Sequence, residues 1–183
     1  MAQCIICLRD HSDTTVEHII PRSLGNIHYV LPKGKLCSIC NNRFAKYEQA
    51  VLNSPGWLDH RIALGLTKHT SVGHYTTPKE YELHRFLLKV MYEAMYHSRH
   101  KIFEEIDFTG VRLALSEGRE VEVTVTPGKM IRDGQNIPGM WDAWRLNRNH
   151  LALQYLIHED AIFWGFRFCD LTYVMSLSHV IFD

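Results

Sequence analysis

Two Cys-x-x-Cys pairs, Cys4/Cys7 and Cys37/Cys40, bracket an adjacent glutamate and histidine, Glu17-His18, and the second pair runs directly into Asn41. Two residues between paired cysteines is a zinc-knuckle spacing, and four such thiols can close a tetrahedral zinc site. The plainer readings are buried small hydrophobes or a redox pair. Two pairs enclosing one compact segment favour zinc over both. The loop between the pairs counts 29 residues, more than a simple zinc ribbon needs, so something is built inside it. A histidine near its ordinary pKa of about 6.5 can take a proton from water at neutral pH.

The segments CIIC, EHIIPRSLGN and LCSICNNRFAKYE resemble the HNH (ββα-metal) nuclease family in its cysteine-bearing branch, over roughly the first fifty residues. The resemblance implies a metal-dependent endonuclease that hydrolyses phosphodiester bonds, with DNA favoured over RNA, in a restriction, phage-defence or mobile-element setting. Such hydrolysis needs an activated water, a neutralised phosphate and help for the departing 3′ oxygen. Adjacent residues of a strand point to opposite sides, so Glu17 and His18 would not share one role unless the backbone bends. The resemblance assigns them separately: His18 is the general base, while Glu17 and Asn41 hold a catalytic Mg²⁺ or Mn²⁺. Cys4, Cys7, Cys37 and Cys40 then hold a structural Zn²⁺ that clamps the knuckle to the start of a helix. Arg22, Arg43 and Lys46 are candidates for phosphate contacts, against the plainer reading of surface charge. Two features depart from the family pattern. The asparagine that usually braces the loop carrying the histidine has no clear match, Asn26 being the nearest, and the last motif position is asparagine rather than histidine.

A chain of 183 residues with 46% hydrophobic and 22% charged residues suits a folded globular protein. No apolar run approaches the ~20 residues of a membrane span, and no secretory signal is apparent. With four of the five cysteines assigned to zinc, a reducing, cytoplasmic compartment is expected. Twenty Lys and Arg balance twenty Asp and Glu. That neutrality argues against indiscriminate electrostatic binding of nucleic acid and towards a partner or homodimer that supplies affinity.

The elements expected around these residues make an α+β protein. Val16–Ile20 and Ile27–Leu31 read as short strands closed by Pro21 and Pro32, and residues 41–52 have helical period, giving the order ββα. Asn53 to Gly56 breaks that helix and suggests a boundary, with a zinc-stabilised module at 1–54 and an accessory region at 55–183 for substrate recognition or dimerisation. Lys79 to Lys101 carries apolar residues at spacings of three and four, a long helix with one buried face. After Gly110, VRLAL and EVEVTVT flank SEGR and suggest a β-hairpin, then a long loop at 127–140, then three strands in LALQYLI, AIFWGFRF and TYVMSLSHVIF. Arg145 and Arg148, near that loop, are further candidates for a nucleic-acid surface. The contrasting function is a zinc-stabilised binding module, for nucleic acid or protein, that keeps the fold without turnover. Glu, His and Asn together favour the enzyme, since a pure binder does not need that set.

Overall fold

The computed structural model describes residues 1–68, 75, 77–98, 106–119, 123–127, 140–145, 150–158 and 161–177. The long loop expected at 127–140 lies almost wholly outside them, as does Arg148. The chain divides into two compact units, Met1–Glu93 with Thr109–Glu120, and Ala94–Phe108 with Val121–Asp183. Among the described residues, no helix is long and apolar enough to cross a membrane.

The second unit is built on a five-stranded antiparallel sheet of β3 (Val123–Pro127), β4 (Met140–Arg145), β5 (Leu151–His158), β6 (Ala161–Phe168) and β7 (Leu171–Leu177), in the order β3-β7-β6-β5-β4. The three apolar strands expected from residue 151 onward are present, and β4 joins them as an edge that sequence reading missed. Alternation sets the buried face: Leu151, Leu153 and Tyr155 on β5, with Ile162, Trp164, Phe166 and Phe168 on β6. Tyr155 stacks on Trp164 with ring centroids 5.6 Å apart. Cys169 sits in the tight turn between β6 and β7 with φ 56°.

The first unit opens with a small ladder, β1 (Ala2–Gln3) against β2 (Asp10–His11). The helices α1 (Ser38–Leu52), α2 (Trp57–Ala63), α3 (Glu80–Ser98) and α4 (Thr109–Glu117) follow, the last five residues of α3 falling in the other unit. Helix α1 starts where the Asp13 carboxylate accepts the Ser38 N–H at 2.8 Å, and it buries Cys40, Phe44, Val51 and Leu52. Arg61 on α2 closes its far end by donating to the Leu52 carbonyl at 2.9 Å, and to the Ser23 carbonyl at 3.1 Å. One expectation needs correction. VRLAL is part of helix α4 and not a hairpin strand: Leu, Ala and Arg favour helix, Val111, Ala114 and Leu115 form its buried face, and Gly118 at φ 79° stops it. In the compact units the first fourteen residues of α3 group with the cysteine module. Tyr92 donates to the Ile5 carbonyl at 2.9 Å, and Arg85 donates to the Tyr47 hydroxyl at 2.9 Å.

The two strands expected at 16–20 and 27–31 shrink to one antiparallel bridge, His18 to Val30. Two backbone bonds flank it, Ile19 N–H to the Tyr29 carbonyl at 3.2 Å and Leu31 N–H to the Glu17 carbonyl at 2.9 Å. Pro21 and Pro32 close the ladder at one side each. What replaces the missing ladder is Asn26, fully buried between them. Its Nδ2 donates to the Ile20 and Tyr29 carbonyls at 2.6 and 2.9 Å, and its Oδ1 accepts the N–H groups of His28 and Tyr29 at 3.2 and 2.8 Å. One amide thus bonds four backbone groups, of which only the Tyr29 carbonyl also takes a bond across the bridge. Asn26→Ala should therefore cost about 3 kcal/mol of unfolding free energy, since each buried group left unpaired costs about 1–3 kcal/mol. Asn26→Asp should rescue little, because it turns two donated bonds into a carboxylate facing two carbonyls. Urea unfolding of the three proteins checks both.

Candidate active site

The four cysteine sulfurs lie within 4.8 Å of one another. Each pair is presented by a different device. At the first, Leu8 takes φ 58° and donates its N–H to the Cys4 carbonyl at 2.9 Å, while Cys4 N–H bonds the Arg9 carbonyl at 3.1 Å. At the second, Cys37 is the N-cap of α1 and Cys40 lies one turn in, with Cys37 Sγ 3.7 Å from Cys7 Sγ. The Cys40 thiol bonded to Cys4 holds that residue's pKa down, to about 4, and the same bond, with burial, pushes Cys40 up. A proton is shared where a soft dication could replace it. Four thiols at this distance fit structural zinc.

The Glu17-His18 pair sits on the bridge, and its side chains part as extended backbone requires. Glu17 turns inward and is 8% exposed. His18 is half-buried, with Nδ1 enclosed and without a partner while Nε2 is left open. Burial, then Arg22 and Lys89, push the imidazole pKa below its usual value, with Glu48 pulling the other way. The ring is therefore neutral at pH 7, the state a general base needs.

Glu17 meets a cation that lies outside every motif read from the sequence. Lys89 of α3, 1% exposed, donates from Nζ to Glu17 Oε1 at 2.6 Å, to Glu48 Oε1 at 3.0 Å and to the His18 carbonyl at 3.2 Å. Glu93 Oε2, one helical turn on, lies 3.2 Å from the same nitrogen. Burial works against the ammonium, but Glu48, Glu93 and Glu17 outweigh it and hold the Lys89 pKa well above the ordinary value. Burial also raises Glu17, against the pull of Lys89, and raises Glu93 well above the carboxylate range. Lys89 and Glu93 are four apart on an otherwise apolar helical face, a sequence signal that was available, since buried charge is rarely left unpaired.

The remaining expected residues are less tightly placed. Asn41 is in the first turn of α1, and its side chain takes no hydrogen bond among the described residues. Arg22 is exposed and acts on His18 through its charge. Arg43 and Lys46 share the outer face of α1 with Asn42, and one Arg43 terminal nitrogen, Nη1, is enclosed without a partner. A cavity of about 510 Å³ lined by Ile6 to Arg9 and by the Thr109 to Glu117 face of α4 contains none of the expected catalytic side chains.

Residues 4–54 match the family model described as HNH endonuclease, and the clustered cysteines fit a zinc-bearing branch of that family. The match supports a nuclease-type function, with a nucleic acid as substrate, at the level of the family. No curated protein and no solved structure matches the chain.

Structural zinc in small modules contributes about 10–16 kcal/mol of apparent binding free energy, comparable to the whole stability of a domain, about 5–15 kcal/mol. Purified protein should therefore carry one zinc per chain. Cys37→Ser or Cys40→Ser should lose it and unfold at least residues 1–50. Elemental analysis with far-ultraviolet circular dichroism, before and after chelation, measures both, and folded active protein without zinc would contradict the assignment.

Proposed function

We propose that residues 4–54, matched to the HNH endonucleases, form with the start of α3 a metal-dependent phosphodiester hydrolase acting on DNA. The observation that carries this reading is the half-buried His18 imidazole, its pKa lowered by burial and one nitrogen open, beside a buried carboxylate on a frame closed by the cysteine cluster. His18 Nε2 accepts a proton from the attacking water. No acceptor faces Nδ1, so the surrounding protein does not itself fix the tautomer.

The donor set fits a hard divalent ion. Among the described residues, Glu17 gives Oε1 to Lys89 and leaves Oε2 without a hydrogen bond, and Asn41 offers an amide oxygen with no competing bond. Glu17 and Asn41 would hold Mg²⁺ or Mn²⁺, which supplies charge for the phosphate and the departing 3′ oxygen. The chain itself orients and neutralises. The N-terminal turn of α1 favours a phosphate, and Arg22, Arg43 and Lys46 provide positive charge for further phosphates. Restriction, phage defence or a mobile element would be the setting, and the sheet-bearing unit would select substrate or join two copies. A second reading, a zinc-stabilised binding module without turnover, draws on the Lys89 pair, which already satisfies half of the Glu17 carboxylate.

His18→Ala should abolish cleavage of plasmid DNA while leaving zinc content and DNA binding nearly unchanged, because a general base contributes about 10²–10⁴-fold. Glu17→Ala and Asn41→Ala should also lose activity, and excess Mn²⁺ should partly restore them but not His18→Ala. A Mn²⁺ titration of the three variants separates the roles. If His18→Ala cuts as well as wild type, the binding module is the better account. In wild type the acid limb of kcat/KM should lie below about pH 6.5, the ordinary histidine value, because the lowered pKa keeps the imidazole unprotonated to more acidic pH. A pH–rate profile locates it.

A further inference from the structure

Lys89 belongs to α3, outside the segment matched to the nuclease family, yet it touches both members of the Glu17-His18 pair. An ammonium has three N–H donors and no acceptor. Here the three donors have three hydrogen-bond targets, the Glu17 carboxylate, the His18 carbonyl and the Glu48 carboxylate on α1, with Glu93 Oε2 a further ion-pair partner at 3.2 Å. Burying an ion costs several kcal/mol, and an apolar side chain of the same length would fill the space more cheaply. Packing alone thus does not account for a lysine at this position. Its targets do. They fix the inward side chain, the peptide that follows His18 and the helix that carries Asn41.

We infer that Lys89 is a positioning residue for the hydrolytic centre, clamping Glu17 and the His18 peptide so that the imidazole and the carboxylate keep their opposite directions. Residues next to each other on extended chain face apart, so holding Glu17 inward holds His18 outward. The bond to the His18 carbonyl holds the peptide that follows His18, while the Leu31 N–H on the Glu17 carbonyl holds the peptide between the two residues. Glu48 transfers the constraint to α1, whose first turn bears Asn41 seven residues earlier. Partners of this kind behind ligating or catalytic groups are typically worth 10–100-fold in metal affinity or activity. The inference rests on the roles proposed for Glu17 and His18.

The test is a kinetic cycle on the full chain with Lys89→Met, Glu17→Gln and the double variant, each checked for zinc and for its unfolding midpoint. Lys89→Met should lower kcat 10–100-fold with KM for DNA nearly unchanged, and the double variant should be no slower than Glu17→Gln alone. Independent losses that multiply, or wild-type kcat in folded Lys89→Met, would overturn it. Should Lys89→Met fail to hold zinc, Lys89→Arg takes its place, since a guanidinium keeps the charge but not the compact three-point geometry. Lost kcat with zinc retained supports the inference, wild-type kcat overturns it, and failure of both variants to fold makes Lys89 a residue of the fold alone. If wild type cuts no DNA in any metal, the proposed function falls separately. The clamp is then read from the His18 ring resonances by nuclear magnetic resonance. Lys89→Met should move them, and unchanged resonances in a folded variant would refute the clamp.

Discussion

An ammonium buried to 1% exposure is the constraint around which the first unit is arranged. In water it costs nothing; inside a protein it costs several kcal/mol unless oxygens replace its hydration. Lys89 finds four, on Glu17, on the His18 peptide, on Glu48 and on Glu93. These oxygens come from three separate stretches of chain. None of the stretches can shift without exposing an unpaired charge to an apolar interior. A hydrophobic contact in the same place would tolerate sliding, because dispersion has no direction. Charge with hydrogen-bond geometry does not.

Three fasteners of different chemistry hold the segment from Cys4 to Leu52. The cysteine cluster ties the knuckle to the first turn of α1. Asn26 closes the loop between the two arms of the His18–Val30 bridge. Lys89 fixes the opposite face of that bridge to α1 and α3. They are not interchangeable. The cysteines set where the helix begins, Asn26 sets the loop that returns to the bridge, and Lys89 sets which way the pair on the bridge points. A single bridge is too little sheet to be stable alone, so side chains do here what a ladder would do in a longer hairpin.

This division explains how much could be read from the sequence. Paired cysteines and Glu-His-Ile-Ile-Pro carry their chemistry in residue type and local spacing, so both the zinc cluster and the identity of the pair were legible. Helix α1, α3 and the three apolar strands follow from periodicity. Lys89 was not found because it lies 72 residues from Glu17 and its role depends on tertiary placement. Asn26 was named only as the nearest candidate, since nothing local shows that Ile20 and Tyr29 carbonyls converge on it. VRLAL misled because Val and Leu suit either element when SEGR is read as a hairpin turn. Gly118 within it is a helix stop.

The charge balance of the whole chain says little about how this unit meets a polyanion. Zinc bound by four thiolates leaves a net charge of −2, and Arg9 is already drawn towards Cys7, which raises its pKa. The cage around Lys89 adds a further −1 when Glu17 and Glu48 are ionised and Glu93 is neutral. Both negative centres are buried or screened by the groups that made them. The exposed residues of this unit carry both signs, Arg22 and Lys46 as well as Asp10, Asp59 and Glu117. Under the proposed action on DNA, so few positive side chains make few phosphate contacts, each contributing about 0.9 to the salt slope of duplex binding. Weak, salt-sensitive attraction of this kind orients a substrate at the centre without retaining the product, which suits turnover better than storage.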